Sequence, residues 1–276
     1  MYKALSSGAI RIQANFGETV AFAQQYGFAG VELNLRELAG LGADTAKATI
    51  AAAGLKVAGA SLPTNYKESE EQFQSGLAEL PAFAKLAQQV GCDRIYTYIW
   101  PCSDTMTFQE NFKQHVDRLR PIAGVLADHG CRLAMEFLGP RSIRKTAKYD
   151  FIYNMDAMLT LAAAIGPNVG LLLDVWHWQM AGHVVRDLLR LADSDIVYVH
   201  INDAPVGLGP DEVNDIVRFL PGETGVLDIT GFMGALETIC YSGPVVIEPF
   251  SERLKSLSAE AAVKETAASL DKIWHW

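Results

Sequence analysis

The sequence predicts an α/β fold, a single (β/α)8 barrel whose active site lies at the C-terminal face of the strands. Short apolar runs rich in branched residues alternate with segments of helical period, and this alternation occurs eight times. The composition does not change along the chain, so eight strand–helix units account for residues 1–276 as one domain. Six helical segments end at a glycine just before the next strand, which is a common helix stop signal.

The elements follow in chain order. The strands are predicted at residues 9–13, 30–34, 55–62, 94–99, 132–137, 169–174, 196–201 and 244–248. The helices are predicted at residues 17–26, 43–53, 69–90, 108–129, 151–165, 179–192, 229–241 and 258–273. The helix-ending glycines are Gly27, Gly54, Gly91, Gly130, Gly166 and Gly243. Pro81 is expected to kink or divide the third helix. A doubly wound sheet is the alternative, but it has fewer strands and a glycine-rich first turn, whereas residues 14–19 contain only Gly17.

Composition and charge exclude several classes of protein. Half of the residues are hydrophobic, and 23 basic against 32 acidic residues give a formal net charge of −9. An acidic chain without a basic block is a poor partner for nucleic acid or an anionic membrane, because phosphate contacts need Lys and Arg. The four cysteines form no C-x-x-C pair, and no apolar run is long enough for a membrane span or a signal peptide. A cytoplasmic protein with reduced thiols is therefore expected.

Four successive predicted strands end in a side chain that can bind a metal ion. These strand ends are Glu136, Asp174, His200 and Glu248. Any one of them alone would more simply be a helix cap or a salt-bridge partner. In a parallel barrel, however, the ends converge on one face, where three carboxylates repel one another unless a cation lies among them. Oxygen ligands with one imidazole suit Mn²⁺, Mg²⁺, Co²⁺ or Zn²⁺, so the sequence predicts one divalent ion bound by these four residues.

Other side chains are expected at the same face, where they would contact a substrate. His177 lies on the first turn beyond Asp174, where it can bind metal, orient a substrate or move a proton; a core or capping histidine is the alternative. Glu32 ends the second strand. Arg218 precedes a Pro-Gly turn in the long loop 202–228, which can bring it over the metal. The aromatic residues at the ends of the fourth and sixth strands could wall a sugar pocket or simply pack the barrel: Tyr96, Tyr98, Trp100, Trp176 and Trp178.

Five motifs carry a resemblance to a known family. They are AMEFLG (134–139), NVGLLLDVWHW (168–178), YVHIND (198–203), RFLPGETG (218–225) and VIEPF (246–250). With them the chain resembles the xylose-isomerase-like TIM barrels of the sugar phosphate isomerase/epimerase superfamily, and within it the inosose (2-keto-myo-inositol) isomerases. The resemblance covers essentially the whole chain. It implies that the four strand-end residues bind one divalent ion, that His177 and Arg218 contact the substrate, and that the chain forms a homo-oligomer, a dimer or tetramer.

The expected chemistry is proton transfer through a metal-stabilised enediolate of a polyhydroxylated keto-sugar or keto-polyol, the small-molecule partner. The metal would polarise the ketone oxygen, and Glu136 and Glu248 are the candidate acid–base pair as well as ligands. Return of the proton to the same carbon gives epimerisation, and return to the adjacent carbon gives isomerisation. Loss of a β-hydroxyl gives dehydration, and the ligands do not distinguish these outcomes.

Basic residues in the loop after the fifth strand leave a second enzyme class open. Arg141, Arg144, Lys145 and Lys148 could hold a carboxylate or phosphate, which favours a dehydratase of a carboxylated ring such as dehydroshikimate; a solvated loop is the simpler interpretation. A sugar-binding barrel that has lost catalysis would need a broken metal set, and the set is intact. Zinc endonucleases of the superfamily need more histidines than the strand ends offer, and the net charge opposes DNA.

Overall fold

Residues 1–275, which the computed structural model describes, contain ten strands, and eight of these close into a parallel barrel. In chain order the strands are β1 (Tyr2–Leu5), β2 (Gly30–Leu33), β3 (Lys56–Ser61), β4 (Arg94–Ile99), β5 (Cys102–Ser103), β6 (Arg132–Phe137), β7 (Tyr149–Asp150), β8 (Val169–Asp174), β9 (Ile196–Ile201) and β10 (Pro244–Ile247). The order around the barrel is β1, β10, β9, β8, β6, β4, β3 and β2. The short strands β5 and β7 form an antiparallel pair outside it.

Helices connect the strands and cover the barrel. They are α1 (Phe16–Gln25), α2 (Leu35–Leu41), α3 (Ala43–Ala52), α4 (Glu70–Val90), α5 (Phe108–Asp128), α6 (Met155–Ile165), α7 (Val175–Met180), α8 (Val185–Leu188), α9 (Ile229–Thr238), α10 (Glu252–Lys255) and α11 (Ala259–Ile273). Several begin where a polar side chain accepts a first-turn N–H, as Asn15, Ser69 and Thr107 do. Within residues 1–275, none of these helices has the length and apolarity needed to cross a membrane.

The predicted closed barrel is confirmed, but its first strand is wrong. The structure places β1 at Tyr2–Leu5, whereas residues 9–13 form no strand. Ala9 and Ile10 are buried in a turn, where the Ile10 N–H donates to the Ser6 carbonyl at 3.3 Å and Arg11 has a φ of 57°. The apolar run therefore reflects burial without strand pairing. The other seven strands lie where predicted, and four of them have the predicted bounds.

The helix predictions are wrong where the chain interrupts or adds a helix without a clear change in its hydrophobic pattern. The helix α2 is not among the predicted helices. The segment expected as one helix over 179–192 contains only the last two residues of α7 and the short helix α8, between which Gly182 has a φ of 83°. Pro81 does not divide α4. Gly166 is extended rather than left-handed, and near Gly243 the left-handed residue is Cys240, with a φ of 58°.

Small and branched side chains fill the barrel interior. Ala58, Ala134 and Leu172 pack around the ring of Tyr198, which is fully buried. A Cβ at position 59 would lie 2.8 Å from Cε2 of Tyr198, so the glycine there makes room for this ring. Because the interior is packed, the space for chemistry lies at the strand ends.

Candidate metal centre and active site

The four predicted ligands converge at the carboxyl ends of neighbouring strands. Glu136 lies in β6, Asp174 ends β8, His200 lies in β9 and Glu248 directly follows β10. Strand pairing sets their alignment, since His200 is level with Asp174 on one side and with Val246 on the other. One ligand atom from each of the four side chains lies within 4.8 Å of the others.

The charges of this cluster act strongly on one another. Burial raises the pKa of Glu136, Asp174 and Glu248, that of Glu248 to about 7. Burial also disfavours an imidazolium, but the Glu248 and Glu136 carboxylates outweigh this effect and raise the pKa of His200 to about 9. Nδ1 of His200 lies 3.5 Å from Oε1 of Glu136 and 3.6 Å from Oε2 of Glu248. Without a cation, three buried carboxylates therefore share one imidazole and the adjacent arginine described below.

Missing hydrogen bonds show that the cluster fits a metal ion. Oε1 of Glu136 and both ring nitrogens of His200 are buried without a hydrogen-bond partner among residues 1–275. Buried polar atoms are normally partnered, so these orphaned atoms need an explanation. A divalent ion would supply the partner for Glu136 and for one nitrogen of His200, and its charge would offset the repulsion between the carboxylates.

Arg218 reaches this cluster from the long loop, as the sequence predicts. Its Nη1 donates to Oδ2 of Asp174 at 3.0 Å and to Oε2 of Glu248 at 3.1 Å. Its Nη2 donates to Oδ1 of Asp215 at 3.0 Å. Burial disfavours the guanidinium charge, but the carboxylates of Asp174, Asp215 and Glu248 more than compensate and raise the pKa of Arg218. The arginine therefore stays charged while only 2% exposed.

His177 is held between a backbone amide and the arginine. Its Nδ1 accepts the Gly139 N–H at 3.2 Å, and its Nε2 lies 3.2 Å from Nη2 of Arg218. A Cβ at position 139 would lie 2.1 Å from the His177 carbonyl oxygen, so only glycine allows this approach. Burial lowers the pKa of His177 to about 3, which keeps the ring neutral. Because Nδ1 accepts the Gly139 N–H, Nε2 carries the proton and can donate it to a substrate oxygen.

The cluster opens into a cavity of about 470 Å³. Six of the predicted residues line it, namely Trp100, Glu136, His177, His200, Arg218 and Glu248. Asp174 is fully buried at the cluster, and Asn202 donates to both of its oxygens at 3.1 Å. Tyr96, Tyr98 and Phe250 add aromatic walls. A cavity of this volume that combines aromatic walls with convergent polar groups is typical of a small-molecule site.

Three of the predicted substrate-binding residues are not brought to the cavity. Glu32 accepts the hydroxyls of Ser6, Tyr96 and Tyr198 at 2.7 to 2.9 Å inside the barrel, so it fixes the Tyr96 wall instead. Trp176 is fully buried, and its indole N–H donates to Asp215 at 3.0 Å. Arg141 is mostly exposed and pairs with Asp211 at 3.3 Å. Location at a strand end predicts that these three side chains reach the cavity. Packing or a nearby ion-pair partner places them elsewhere.

Sequence reasoning missed the residues that organise the long loop. Asp215 accepts hydrogen bonds from both Arg218 and Trp176. Burial raises its pKa, but the charges of Arg218 and His177 outweigh this effect and lower the pKa, so Asp215 remains a carboxylate. Asp203 is fully buried and accepts five backbone N–H groups, four of them from residues 224–227. The only sequence signal was their place, directly after a strand and within a Pro/Gly-rich loop.

Comparison with known proteins agrees with the fold. A family model described as xylose isomerase-like TIM barrel matches residues 20–273. The inosose isomerase of Bacillus subtilis (strain 168) is 28% identical over 162 residues, which cover 56% of this chain and 53% of that protein. The 3-dehydroshikimate dehydratase of Pseudomonas aeruginosa is 27% identical over 158 residues, covering 56% of this chain and 23% of that protein. The chain thus spans about half the length of the inosose isomerase it matches.

Solved structures extend the similarity over the whole chain. A xylose isomerase domain protein from Alicyclobacillus acidocaldarius has a TM-score of 0.88 at 29% identity, covering 99% of this chain and 98% of that one. The IOLI protein, solved with a bound zinc atom, has a TM-score of 0.83 at 18% identity, with the same coverage. At that identity the second likeness shows the fold alone. The relatives named as isomerases and epimerases show that the family is enzymatic.

Proposed function

The chain belongs to the xylose isomerase-like TIM-barrel family, and from this premise we propose that it is a divalent-metal-dependent isomerase or epimerase of a keto-sugar or keto-polyol such as an inosose. One observation carries the proposal: Glu136, Asp174, His200 and Glu248 converge in a cavity with buried ligand atoms that lack hydrogen-bond partners. The donor set suits Mn²⁺, Mg²⁺, Co²⁺ or Zn²⁺. A bound divalent ion supplies Lewis acidity toward a substrate carbonyl.

The side chains around this site divide the remaining tasks. Glu136 and Glu248 both lie near Nδ1 of His200, at 3.5 and 3.6 Å, and they are the pair in which one carboxylate removes a proton next to a carbonyl while the other returns it. Arg218 donates from Nη1 to Oε2 of Glu248 as well as to Asp174, and thereby fixes the direction of the Glu248 carboxylate. His177 is neutral and borders the cavity, where it can orient a substrate hydroxyl.

The test is proton exchange with solvent. In D₂O with Mn²⁺, a panel of inososes, ketohexoses and 3-keto sugars should include a substrate whose α-carbon gains deuterium. The variant Glu248→Gln should lose this exchange by about 10²-fold or more, because the amide cannot accept the proton. The matched control is Glu237→Gln, since Glu237 is exposed on α9 away from the cavity. Exchange that persists in Glu248→Gln would refute its acid–base role, and no exchange with any substrate would refute the proposed function.

A dehydratase of a carboxylated ring is the second candidate, supported by the similarity to a 3-dehydroshikimate dehydratase. Dehydration begins with the same proton removal but ends with loss of a β-hydroxyl, so its product has a new conjugated double bond. Incubation with 3-dehydroshikimate and Mn²⁺, followed by ultraviolet absorbance, distinguishes the two activities. A rise in absorbance without epimerised or isomerised product would favour the dehydratase.

A further inference from the structure

A second, smaller cavity of about 140 Å³ adjoins the main one, and Trp100 lines both. We call it the side cavity; its walls include Tyr66 and Lys67 from the loop after β3, and Asn111, His115 and Arg118 from one face of α5. The spacing of these three α5 residues places them on successive turns of that helix. A substrate that reaches past Trp100 therefore meets a defined set of polar groups.

The charge of the side cavity is positive in an acidic protein. None of its ten lining residues is acidic. Arg118 is already engaged, with hydrogen bonds to the Tyr66 and Glu68 carbonyls and to the Glu70 carboxylate. Lys67 is different, because no carboxylate within residues 1–275 lies within 4.0 Å of its ammonium group. Its Nζ instead lies 3.0 Å from the ring centroid of Tyr98, which lines the main cavity.

Polar atoms around Lys67 also lack partners. Asn111 is 3% exposed, and its Oδ1 has no hydrogen-bond partner in the part of the chain that the structure describes. Nδ1 of His115 lies 2.8 Å from the Asn111 carbonyl, which can only accept, so Nδ1 carries the proton and Nε2 keeps a lone pair. Burial lowers the pKa of Lys67 to about 8, and the charge of the Glu136 carboxylate partly opposes this effect, so Lys67 stays mainly protonated at neutral pH. Lys67 is thus a half-buried cation in a cavity with no acidic lining residue, an arrangement that an anion would complete. Oδ1 of Asn111 and Nε2 of His115 are acceptors, which would instead take the hydroxyl groups next to that anion.

We propose that the side cavity binds an anionic group, a carboxylate or phosphate, at the end of the keto substrate away from its reacting carbons, with Lys67 as the residue that selects it. This inference rests on the proposed function for the identity of the reacting end. It moves the anion site away from the 141–148 loop, where Arg141 pairs with Asp211 and Arg144 pairs with Asp150. The specificity of the enzyme would then be for sugar acids or sugar phosphates over neutral ketoses.

Equilibrium binding tests this with three ligands that share one carbon skeleton. D-fructose, D-fructuronate and D-fructose 6-phosphate differ only at C6, and calorimetry gives the Kd of each for the Mn²⁺-loaded and metal-free protein. The wild-type chain should bind at least one of the two anions about tenfold more tightly than D-fructose, the ratio that about 1.4 kcal/mol gives. Preference for the uronate identifies a carboxylate site, and preference for the ester identifies a phosphate site.

Variants assign the preference to Lys67. Lys67→Met should bring the three Kd values within about twofold of one another, while Lys67→Arg should retain the preference because it keeps the charge. Lys85→Met, on the exposed face of α4, is the matched control and should behave as wild type. Equal affinities in the wild type, absence of binding included, or an unchanged preference in Lys67→Met would overturn the inference.

The result is distinguishable from failure of the proposed function. Deuterium exchange into a neutral keto substrate without any anion preference would retain the function and refute the side-cavity site. Anion preference that depends on Lys67, with no deuterium exchange into any substrate, would retain the side-cavity site and refute the proposed function.

Discussion

Replacing Asp203 by asparagine should loosen the loop that delivers Arg218, although residue 203 touches neither the cavity nor the ligands. The side chain of Asp203 is fully buried. Its Oδ1 accepts the N–H groups of residues 204, 226 and 227, and its Oδ2 accepts those of residues 224 and 225, at 2.8 to 3.2 Å. Its backbone pairs with Phe219, the neighbour of Arg218, through two hydrogen bonds of 2.9 Å. One carboxylate therefore ties both ends of the loop to β9.

The expected loss of stability follows from the number of hydrogen bonds that the asparagine amide cannot accept. Asparagine has the same shape, but its NH₂ group cannot accept, so Asp203→Asn loses at least the two bonds at Oδ2. A hydrogen bond to a charged acceptor contributes about 1.5–3 kcal/mol, which gives about 3–6 kcal/mol for two. Gly225 is exposed, so its freed N–H can bond to water, and the lower end applies. We expect the free energy of unfolding to fall by about 3 kcal/mol.

Urea denaturation measures this fall, and Asp228→Asn is the matched control. Asp228 is exposed and accepts a single N–H, that of Gly231 at 2.9 Å, at the start of α9. Asparagine caps helices as well as aspartate does, so the control should change stability by no more than about 0.5 kcal/mol. Deuterium exchange should fall in Asp203→Asn, because Arg218 loses its fixed position. A variant as stable as wild type would show that the five bonds do not hold the loop.

Two further predictions concern the metal and pH. Purified protein should contain about one divalent ion per chain by elemental analysis, and the His200→Asn variant should contain none. Removal of the ion with EDTA should lower Tm, since an ion at 100 times its Kd stabilises the fold by about 2.7 kcal/mol. A Tm that does not change with EDTA would count against the site. Burial lowers the pKa of His115 from 6.5 to about 4. Below pH 6.5 the unfolded chain therefore binds more protons than the folded chain, and the free energy of unfolding falls as the pH falls toward 4. About 2 kcal/mol should be lost through this residue by pH 5, and His115→Gln should flatten that part of the stability–pH curve; an unchanged curve would show that the ring titrates normally.

The strand ends could be predicted because two local signals coincide there. An apolar run identifies a buried strand, and its last residue must lie at the barrel mouth whatever the rest of the chain does, as Asp174 and His200 illustrate. Trp176 follows the end of β8 by only two residues, yet its ring turns into the protein, where the indole N–H donates to Asp215. Asp203 and Asp215 also have close partners in residues 204 and 218, but the bonds that show their roles reach much further along the chain. Asp203 accepts N–H groups 21 to 24 residues away and Asp215 accepts the indole N–H of Trp176, 39 residues away, and no local pattern encodes such bonds.

The charge near the substrate site also depends on contacts that the sequence does not show. The sequence concentrates basic residues at 141–148, but Arg144 and Lys145 lie beside partners supplied by Asp150 and the Asp211 carbonyl. Lys67 begins an acidic segment, KESEE, in which local charge counting would cancel it. In the fold, Glu70 pairs with Arg118 and Glu68 contacts Asn65, so neither neutralises Lys67. The positive charge that a substrate meets is therefore what remains after tertiary pairing, and Lys67 supplies it from a segment that has more acidic than basic residues.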